Sequence, residues 1–334
     1  MAIGVGGGSG TVRVRAPARL HIGFVDLNGS LGRRFGSLGL ALDEPALSLT
    51  LTRAREARAD GPDAPRLLDT LRAAARHLGV PDACAVACSE GIPAHAGFGS
   101  GTQIALAVAA GLARLHGQPF DAPAAAAALD RGNRSGIGLA AFQAGGLILD
   151  GGREAGGPTP PVIARLDLPE AWRVVLILDE GARGIHGAQE AEAFRHLPVF
   201  PEADAAHLCR LVLMGILPAA AEARLEPFGR GIAELQRRVG DFFAPFQGGR
   251  FTSPHVAEAL AFCEGNGVPG VGQSSWGPTG FAVVGSQTEA EGLVAALRRR
   301  PGAPGHLTYT ISRGRNRGAD IVAEPSALRR LGGA

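Results

Sequence analysis

Residues 92–103 read IPAHAGFGSGTQ, and the apolar, alanine-rich run IALAVAAGLARLH follows at once. Gly97, Gly99, Ser100 and Gly101 put four small residues within five positions. Backbone amides in such a turn converge on an anion, and a helix start behind them adds about half a positive charge. Glycines also let the backbone approach a ligand without a Cβ in the way. The stretch reads as a phosphate cradle, with His95 inside it and Thr102 and Gln103 on the first helical turn. Its order matches neither GxxxxGK[ST] nor GxGxxG, which disfavours the common nucleotide folds. An ordinary glycine-rich helix cap is the plainer alternative.

Three other stretches carry chemistry. ARLHIGFVDLNGSLGRRFGSLGLAL (18–42) gathers Arg19, His21, Asp26, Arg33 and Arg34 among glycines. RGNRSGIGLAAFQAGG (131–146) carries Arg131, Arg134 and Ser135, and VGQSSWGPTGF (271–281) carries Gln273, Ser274, Ser275 and Trp276. A guanidinium forks onto phosphate or carboxylate, so the five arginines are candidate anion receptors. His21 and Asp26 are the candidate proton acceptors, with Arg19 beside them. Each has a bland rival. Arg33 and Arg34 suit a solvated hairpin turn, His21 a satisfied core histidine, and Asp26 a turn cap. Ser274, Ser275 and Trp276 suit a structural turn with a core aromatic. His186 and Glu190, four apart, read equally as a solvated pair and as site residues.

These residues need a scaffold, and the chain is long enough for two domains at 334 residues and 46% hydrophobic composition. The 33 basic and 31 acidic residues leave a charge of +2, with no basic field for nucleic acid or a membrane surface. All the basic side chains other than histidine are arginine. Schemes that need a lysine amine, as a Schiff base or a phosphate-loop lysine, are excluded. Cys84 and Cys88 alternate onto one strand face without two further ligands at zinc spacing, so free thiols and a reducing cytoplasm are expected. No signal peptide or membrane-spanning run is evident.

Period-two alternation predicts strands over 11–24 and 47–52, and another strand over 83–90 leads into the glycine loop. PRLLDTLRAAARHLG (65–79) predicts an amphipathic helix closed by Gly79. A helix over about 100–116 and another near 122–130 follow. GGREAGGPTPP (151–161) is the expected linker. Beyond it, 162–168 and 172–178 read as strands and the run to about 245 as mostly helical. Ser253 is a candidate cap ahead of Pro254, and a strand–helix–strand pattern ends the chain. The organisation is a loose tail at 1–11, an N-terminal domain at 12–160 and a C-terminal domain at 161–334.

The motif Pro93, Gly97, Gly99, Ser100, Gly101 resembles the phosphate loop of the GHMP kinases, P-x-x-x-G-L-G-S-S-A. Residues 131–146 line up without gaps with the H-G-x-P-S-G-x-D…G-G stretch of mevalonate-kinase-like members. There the aspartate is the catalytic carboxylate; here Gly138 stands in its place, and Arg134 replaces the proline. Glycine cannot take the proton of a phosphoryl acceptor. With 18–42, 181–194 and 271–281 included, the chain resembles the β-ribofuranosylaminobenzene 5′-phosphate synthases over roughly 12–320.

The resemblance implies an α+β, two-domain GHMP-kinase fold, with a ribosomal-protein-S5-domain-2-like N-terminal domain and a ferredoxin-like C-terminal domain. It implies joining of phosphoribosyl pyrophosphate (PRPP) to 4-aminobenzoate or 4-hydroxybenzoate in methanopterin biosynthesis, with loss of carbon dioxide and pyrophosphate. His21, Asp26 and Arg19 are then the expected catalytic residues. The other arginines, the glycine loop, Ser135 and 273–276 are the expected substrate binders. Mg2+ on the pyrophosphate, a homodimer and a cytoplasmic location are expected with them. A small-molecule kinase and a non-catalytic ligand sensor on the same fold are the competing readings.

Overall fold

A computed structural model describes residues 10–184 and 187–324, with 187–191 as backbone only. Its elements run β1 (Thr11–Asp26), β2 (Phe35–Arg53), β3 (Arg58–Asp60), α1 (Ala64–Leu78), β4 (Cys84–Glu90), α2 (Ser100–His116), α3 (Ala122–Ala128), α4 (Ile137–Gln143), β5 (Leu147–Asp150), β6 (Val162–Leu166) and β7 (Arg173–Asp179). Then come α5 (Gly187–His196), α6 (Glu202–Leu211), a π-helical turn (Val212–Ile216), α7 (Leu217–Ala221), α8 (Leu225–Gln247), α9 (Pro254–Gly265), β8 (Gly270–Gln273), β9 (Thr279–Val284), α10 (Gln287–Arg299), β10 (Leu307–Ser312) and β11 (Asp320–Glu324).

Two sheets organise the chain. The first has seven strands: β11-β1-β2-β4-β3 in sequence across the sheet, with β5 and β6 added at the far end of β2. The second is a βαββαβ unit with strand order β10-β7-β9-β8, all pairs antiparallel. This is the expected GHMP-kinase arrangement with its ferredoxin-like second half.

Helix α2 sits at the centre of the first half, against β1, β2, α1, α3 and α4. It is apolar on nearly every side, as a fully enclosed helix must be. Ile104, Leu106, Val108, Leu112 and Leu115 are all 2% exposed or less. Each such burial contributes about 1.5–3 kcal/mol. Gly111 allows the close approach to the sheet, since a Cβ there would lie 2.6 Å from Leu51 Cδ1. A larger residue at 111 would force the Leu51 and Val14 side chains to give way.

Strand β1 has register shifts against β2 between Pro17 and Ala18 and between His21 and Gly23. Bulges bend a strand and re-aim its side chains. These two bracket Arg19 and His21, the polar residues of an otherwise apolar stretch.

The domain division differs from the expectation. The stretch 151–161 is not an interdomain linker; it connects β5 to β6, which pair antiparallel in the first sheet. The boundary expected at 160 therefore falls inside one sheet, and β11 returns to it by pairing with β1. The first point turns on pairing of two consecutive strands across a glycine- and proline-rich connection, the second on pairing between opposite ends of the chain. The strand expected at 47–52 is the end of a 19-residue strand that begins at Phe35. Of the expected tail, residues 1–9 lie outside the described residues, as does His186; the side chain of Glu190 is likewise undescribed.

The expected buried thiols Cys84 and Cys88 are free and buried. The run Glu202–Ala221 is long and apolar enough by composition to cross a membrane. Here it is α6, the π-helical turn and α7, each packed against α8.

Candidate active site

The glycine loop is built by backbone conformation. His95, Gly97 and Gly99 all have left-handed φ, at 58°, 86° and 75°. Glycine is required at 97 on a second ground, because a Cβ would lie 2.2 Å from the Ser274 carbonyl oxygen. His95 carries a side chain in a region such residues rarely enter, and such strain concentrates at ligand sites.

Three distant stretches lock the loop. Arg19 Nη1 donates to the Gly97 carbonyl at 2.5 Å, and the Ser274 hydroxyl donates to the same oxygen at 2.7 Å. The His21 amide donates to Ser274 Oγ at 3.1 Å, and the Ser275 amide to the His21 carbonyl at 3.0 Å. Strand β1, the loop and residues 274–277 thus form one rigid edge.

A second loop, 130–136, faces that edge. Asp150, 1% exposed, holds it. Its Oδ2 accepts from the Gly136 amide at 2.8 Å and the Ser135 hydroxyl at 3.1 Å. Its Oδ1 accepts from the amides of Ser37 and Gly152, both at 3.0 Å. Asn133 Nδ2 donates to Asp130 Oδ1 at 2.6 Å, and Arg153 donates to the Asn133 carbonyl at 2.6 Å.

Between the two loops lies a cavity of about 430 Å3. Arg19, His21, His95, Gly97, Gly99, Ser100, Gly101, Thr102, Arg131, Arg134, Ser135, Ser275 and Trp276 line it, all of them expected site residues. Phe24, Arg66, Asp130 and Asn133 line it too and carried no expectation. Arg66 looks in sequence like any solvated charge on an amphipathic helix. Asp130 and Asn133 look like turn residues. Asp150, which lines nothing, had no signal beyond ending a strand.

Two charge environments stand out. Burial first, then the charges of Arg19 and Arg134, push the His21 imidazole down to about 3. His21 is 3% exposed and its Nε2 has no hydrogen-bond partner among the described residues. It is therefore neutral at any physiological pH. Arg131 is pulled below the ordinary arginine range, by burial first and then by the charge of Arg66.

Behind the cavity is a smaller one of about 30 Å3. His21, Phe24, Ser275 and Trp276 line both. Trp276 is 3% exposed, its ring centre 4.4 Å from that of Phe243, and its Nε1 also lacks a partner. The shared wall is aromatic, and the two nitrogens behind it, buried, have no hydrogen-bond partner among the described residues.

Six expected site residues stand elsewhere. Asp26 Oδ1 accepts from the amides of Asn28 and Gly29 at 2.9 and 3.1 Å, so it caps the turn after β1 and lines neither cavity. Arg33 clamps the β5–β6 connection through the carbonyls of Gly151 and Gly152 at 2.9 and 2.8 Å. Arg34 is exposed and lies 5.8 Å from the Phe35 ring centre. Gln103, fully buried, donates to the Gly138 carbonyl at 2.8 Å and so pins α2 to α4. Gln273 accepts from the Thr252 amide at 2.6 Å and lines only the small cavity. Ser274 fixes the loop without facing the large cavity.

Residues 66–146 match the GHMP kinases N-terminal domain and 216–303 the GHMP kinases C-terminal region. β-Ribofuranosylphenol 5′-phosphate synthase of Methanothermobacter thermautotrophicus is 32% identical, over 92% of this chain and 98% of that protein. The synthase of the same name from Archaeoglobus fulgidus is 34% identical, over 93% and 99%.

The chain belongs to the β-ribofuranosylphenol 5′-phosphate synthase family.

Within the GHMP fold the synthase family stands beside kinases. Homoserine kinase of Cytophaga hutchinsonii superposes with a TM-score of 0.70 at 17% identity, over 96% of this chain and 100% of that one. Mevalonate diphosphate decarboxylase of Staphylococcus aureus gives 0.65 at 12%, over 93% and 98%. These likenesses concern the fold alone. As a member of the synthase family the protein is an enzyme.

Among the described residues no group of three His, Cys, Asp or Glu side chains is placed to hold a metal ion. Among the described residues Asp130 is the one carboxylate lining the large cavity, and it is bonded to Asn133. The described residues do not fit a protein-built Mg2+ site.

Proposed function

We propose that the protein condenses PRPP with 4-hydroxybenzoate or 4-aminobenzoate to a C-riboside 5′-phosphate, carbon dioxide and pyrophosphate, on the route to methanopterin. One observation carries the reading. A single cavity joins four arginines and a glycine loop to an aromatic wall, on a scaffold with glycine at the position of the kinase carboxylate.

The donor brings about five negative charges, which guanidinium forks and loop amides neutralise best in a dry cleft. The bond from the anomeric carbon to the pyrophosphate oxygen breaks, and pyrophosphate leaves with the electron pair. The ring carbon bearing the carboxylate attacks the anomeric carbon with a π pair. The bond to the carboxylate then breaks, its electrons restore aromaticity, and carbon dioxide departs. With every phosphate ionised, no proton is gained or lost overall.

That balance suits His21. A strong base is not needed; the para hydroxyl or amino group needs an acceptor while it feeds electrons into the ring. The neutral imidazole of His21, which lines the cavity, is such an acceptor. Arg19 and Arg134, the two charges acting on His21, are the partners for the acceptor's carboxylate. Phe24 and Trp276 supply aromatic contact for its ring. Any Mg2+ enters on the pyrophosphate, and no step depends on a protein-held ion.

The test is the product. Protein, PRPP and ring-13C-labelled 4-hydroxybenzoate are expected to give an anomeric carbon directly bonded to a ring carbon by NMR. An O-riboside, or phosphorylation of a small alcohol when ATP replaces PRPP, contradicts the reading.

A further inference from the structure

Arg66 stands where local rules disfavour it. It is in the first turn of α1, where an acid suits the helix dipole and a cation opposes it. No acid occupies that turn. It also faces another cation. A Cβ on Gly101 would lie 3.4 Å from Arg66 Nη2 and 3.5 Å from Arg131 Nη1, so the two guanidiniums meet across the first turn of α2. Arg66 keeps an ion pair with Asp63 through Nη1 at 3.3 Å, which leaves Nη2 turned to Gly101. Two opposed cations, one of them half-buried, cost stability unless an anion sits between them.

The cavity therefore has two cationic poles. Arg19 and Arg134 flank His21 at the aromatic wall. Arg66 and Arg131 flank Gly101 at the helix start. We propose that Arg66 and Arg131 form a clamp specific for the pyrophosphate group, a multiply charged anion, and take no part in holding the aromatic acid. The assignment rests on the ribosyl-transfer reading for the identity of the donor, and on the arginine pair for the site itself. Each fork offers parallel N–H donors to adjacent phosphate oxygens, and the loop amides cover the rest. Negative charge growing on the leaving oxygen would then meet the clamp as the anomeric bond breaks.

The experiment is calorimetric titration of the full chain with inorganic pyrophosphate, ribose 5-phosphate and 4-hydroxybenzoate in turn. Arg66→Ala and Arg131→Ala are each expected to weaken pyrophosphate binding about tenfold or more, the value of one lost charged hydrogen bond. Binding of the other two probes should stay within about twofold, inside ordinary context scatter. Arg66→Gln keeps a polar side chain without the charge or the fork and should lose pyrophosphate in the same way. Unchanged pyrophosphate affinity in both alanine variants overturns the clamp. Selective loss of ribose 5-phosphate overturns its assignment to pyrophosphate. If PRPP turnover is absent while pyrophosphate binding still needs both arginines, the ribosyl reading falls and the clamp stands.

Discussion

The Ser274 hydroxyl donates to the Gly97 carbonyl at 2.7 Å, joining two residues 177 positions apart. That carbonyl also accepts from Arg19 at 2.5 Å. A single loop oxygen thus ties β1, the glycine loop and the third motif together, and it fixes the amides of 97–101 before any ligand arrives. Ser274→Ala removes two bonds, leaving the Gly97 carbonyl half served and the buried His21 amide without its acceptor. The expected cost is about 2 kcal/mol of stability. The KM for PRPP should rise several-fold, with that for the benzoate little changed. Denaturant unfolding and two-substrate kinetics check the two halves.

Asp150 sets the position of the opposite loop through Ser135 and Gly136 without facing the cavity. Asp150→Asn puts an NH2 where two donors now point, and Asp150→Ala removes all four acceptances. Both are expected to raise KM more than they lower kcat, because Arg131 and Arg134 lose their placement while the chemistry keeps its groups. A drop in kcat alone at unchanged KM contradicts this positioning role.

Arg134 lies with its guanidinium carbon 5.2 Å from the Phe194 ring centre and acts electrostatically on His21. Arg134→Ala should weaken benzoate binding about tenfold while the fold persists. Wild-type kinetics in that variant would remove Arg134 from the acceptor pole.

His21 gives a pH signature. Its folded-state pKa, about 3, lies below its ordinary 6.5. The unfolded chain therefore takes up the proton first as pH falls. The stability it contributes is complete above 6.5 and is lost progressively toward 3. Wild-type stability should fall between pH 6.5 and 4.5 more steeply than that of His21→Asn, measured by urea unfolding. Over pH 6 to 8, kcat should show no ionisation belonging to this imidazole.

Gly138 lines up in sequence with the kinase carboxylate, and a Cβ there would lie 3.1 Å from Thr102 Cγ2. Gly138→Asp puts a carboxyl in the buried first turn of α4 and crowds the Thr102 side chain. It is expected to destabilise the protein without creating ATP-dependent phosphorylation of a small alcohol. Kinase activity in this variant would mean that the loss of the carboxylate alone separates the synthase from its neighbours in the fold.

Much of the scaffold was legible where a local pattern carries it. The apolar periodicity of α1, the enclosed composition of α2, and the Ser253 cap, whose Oγ accepts from the Val256 amide at 3.1 Å, all stand where the pattern put them. Strand partners were not legible: the glycine- and proline-rich stretch before β6 joins two paired strands of one sheet, and β11 pairs with β1 from the far end of the chain. The site divides in the same way. Residues inside the glycine loop and the 131–135 loop face the cavity because backbone turns aim them. The chemistry of Asp26, Arg33 and Arg34 within the 18–42 motif suits a site, but Asp26 and Arg33 bind backbone groups of turns and Arg34 stands exposed beside Phe35. Arg66 was missed because what marks it, another arginine across Gly101, exists only in three dimensions.

The most direct measurement follows carbon dioxide and pyrophosphate together from carboxyl-labelled 4-hydroxybenzoate and PRPP. Equal release of both is expected, absent without PRPP. Pyrophosphate released without carbon dioxide, or neither released while ATP is consumed, would contradict it.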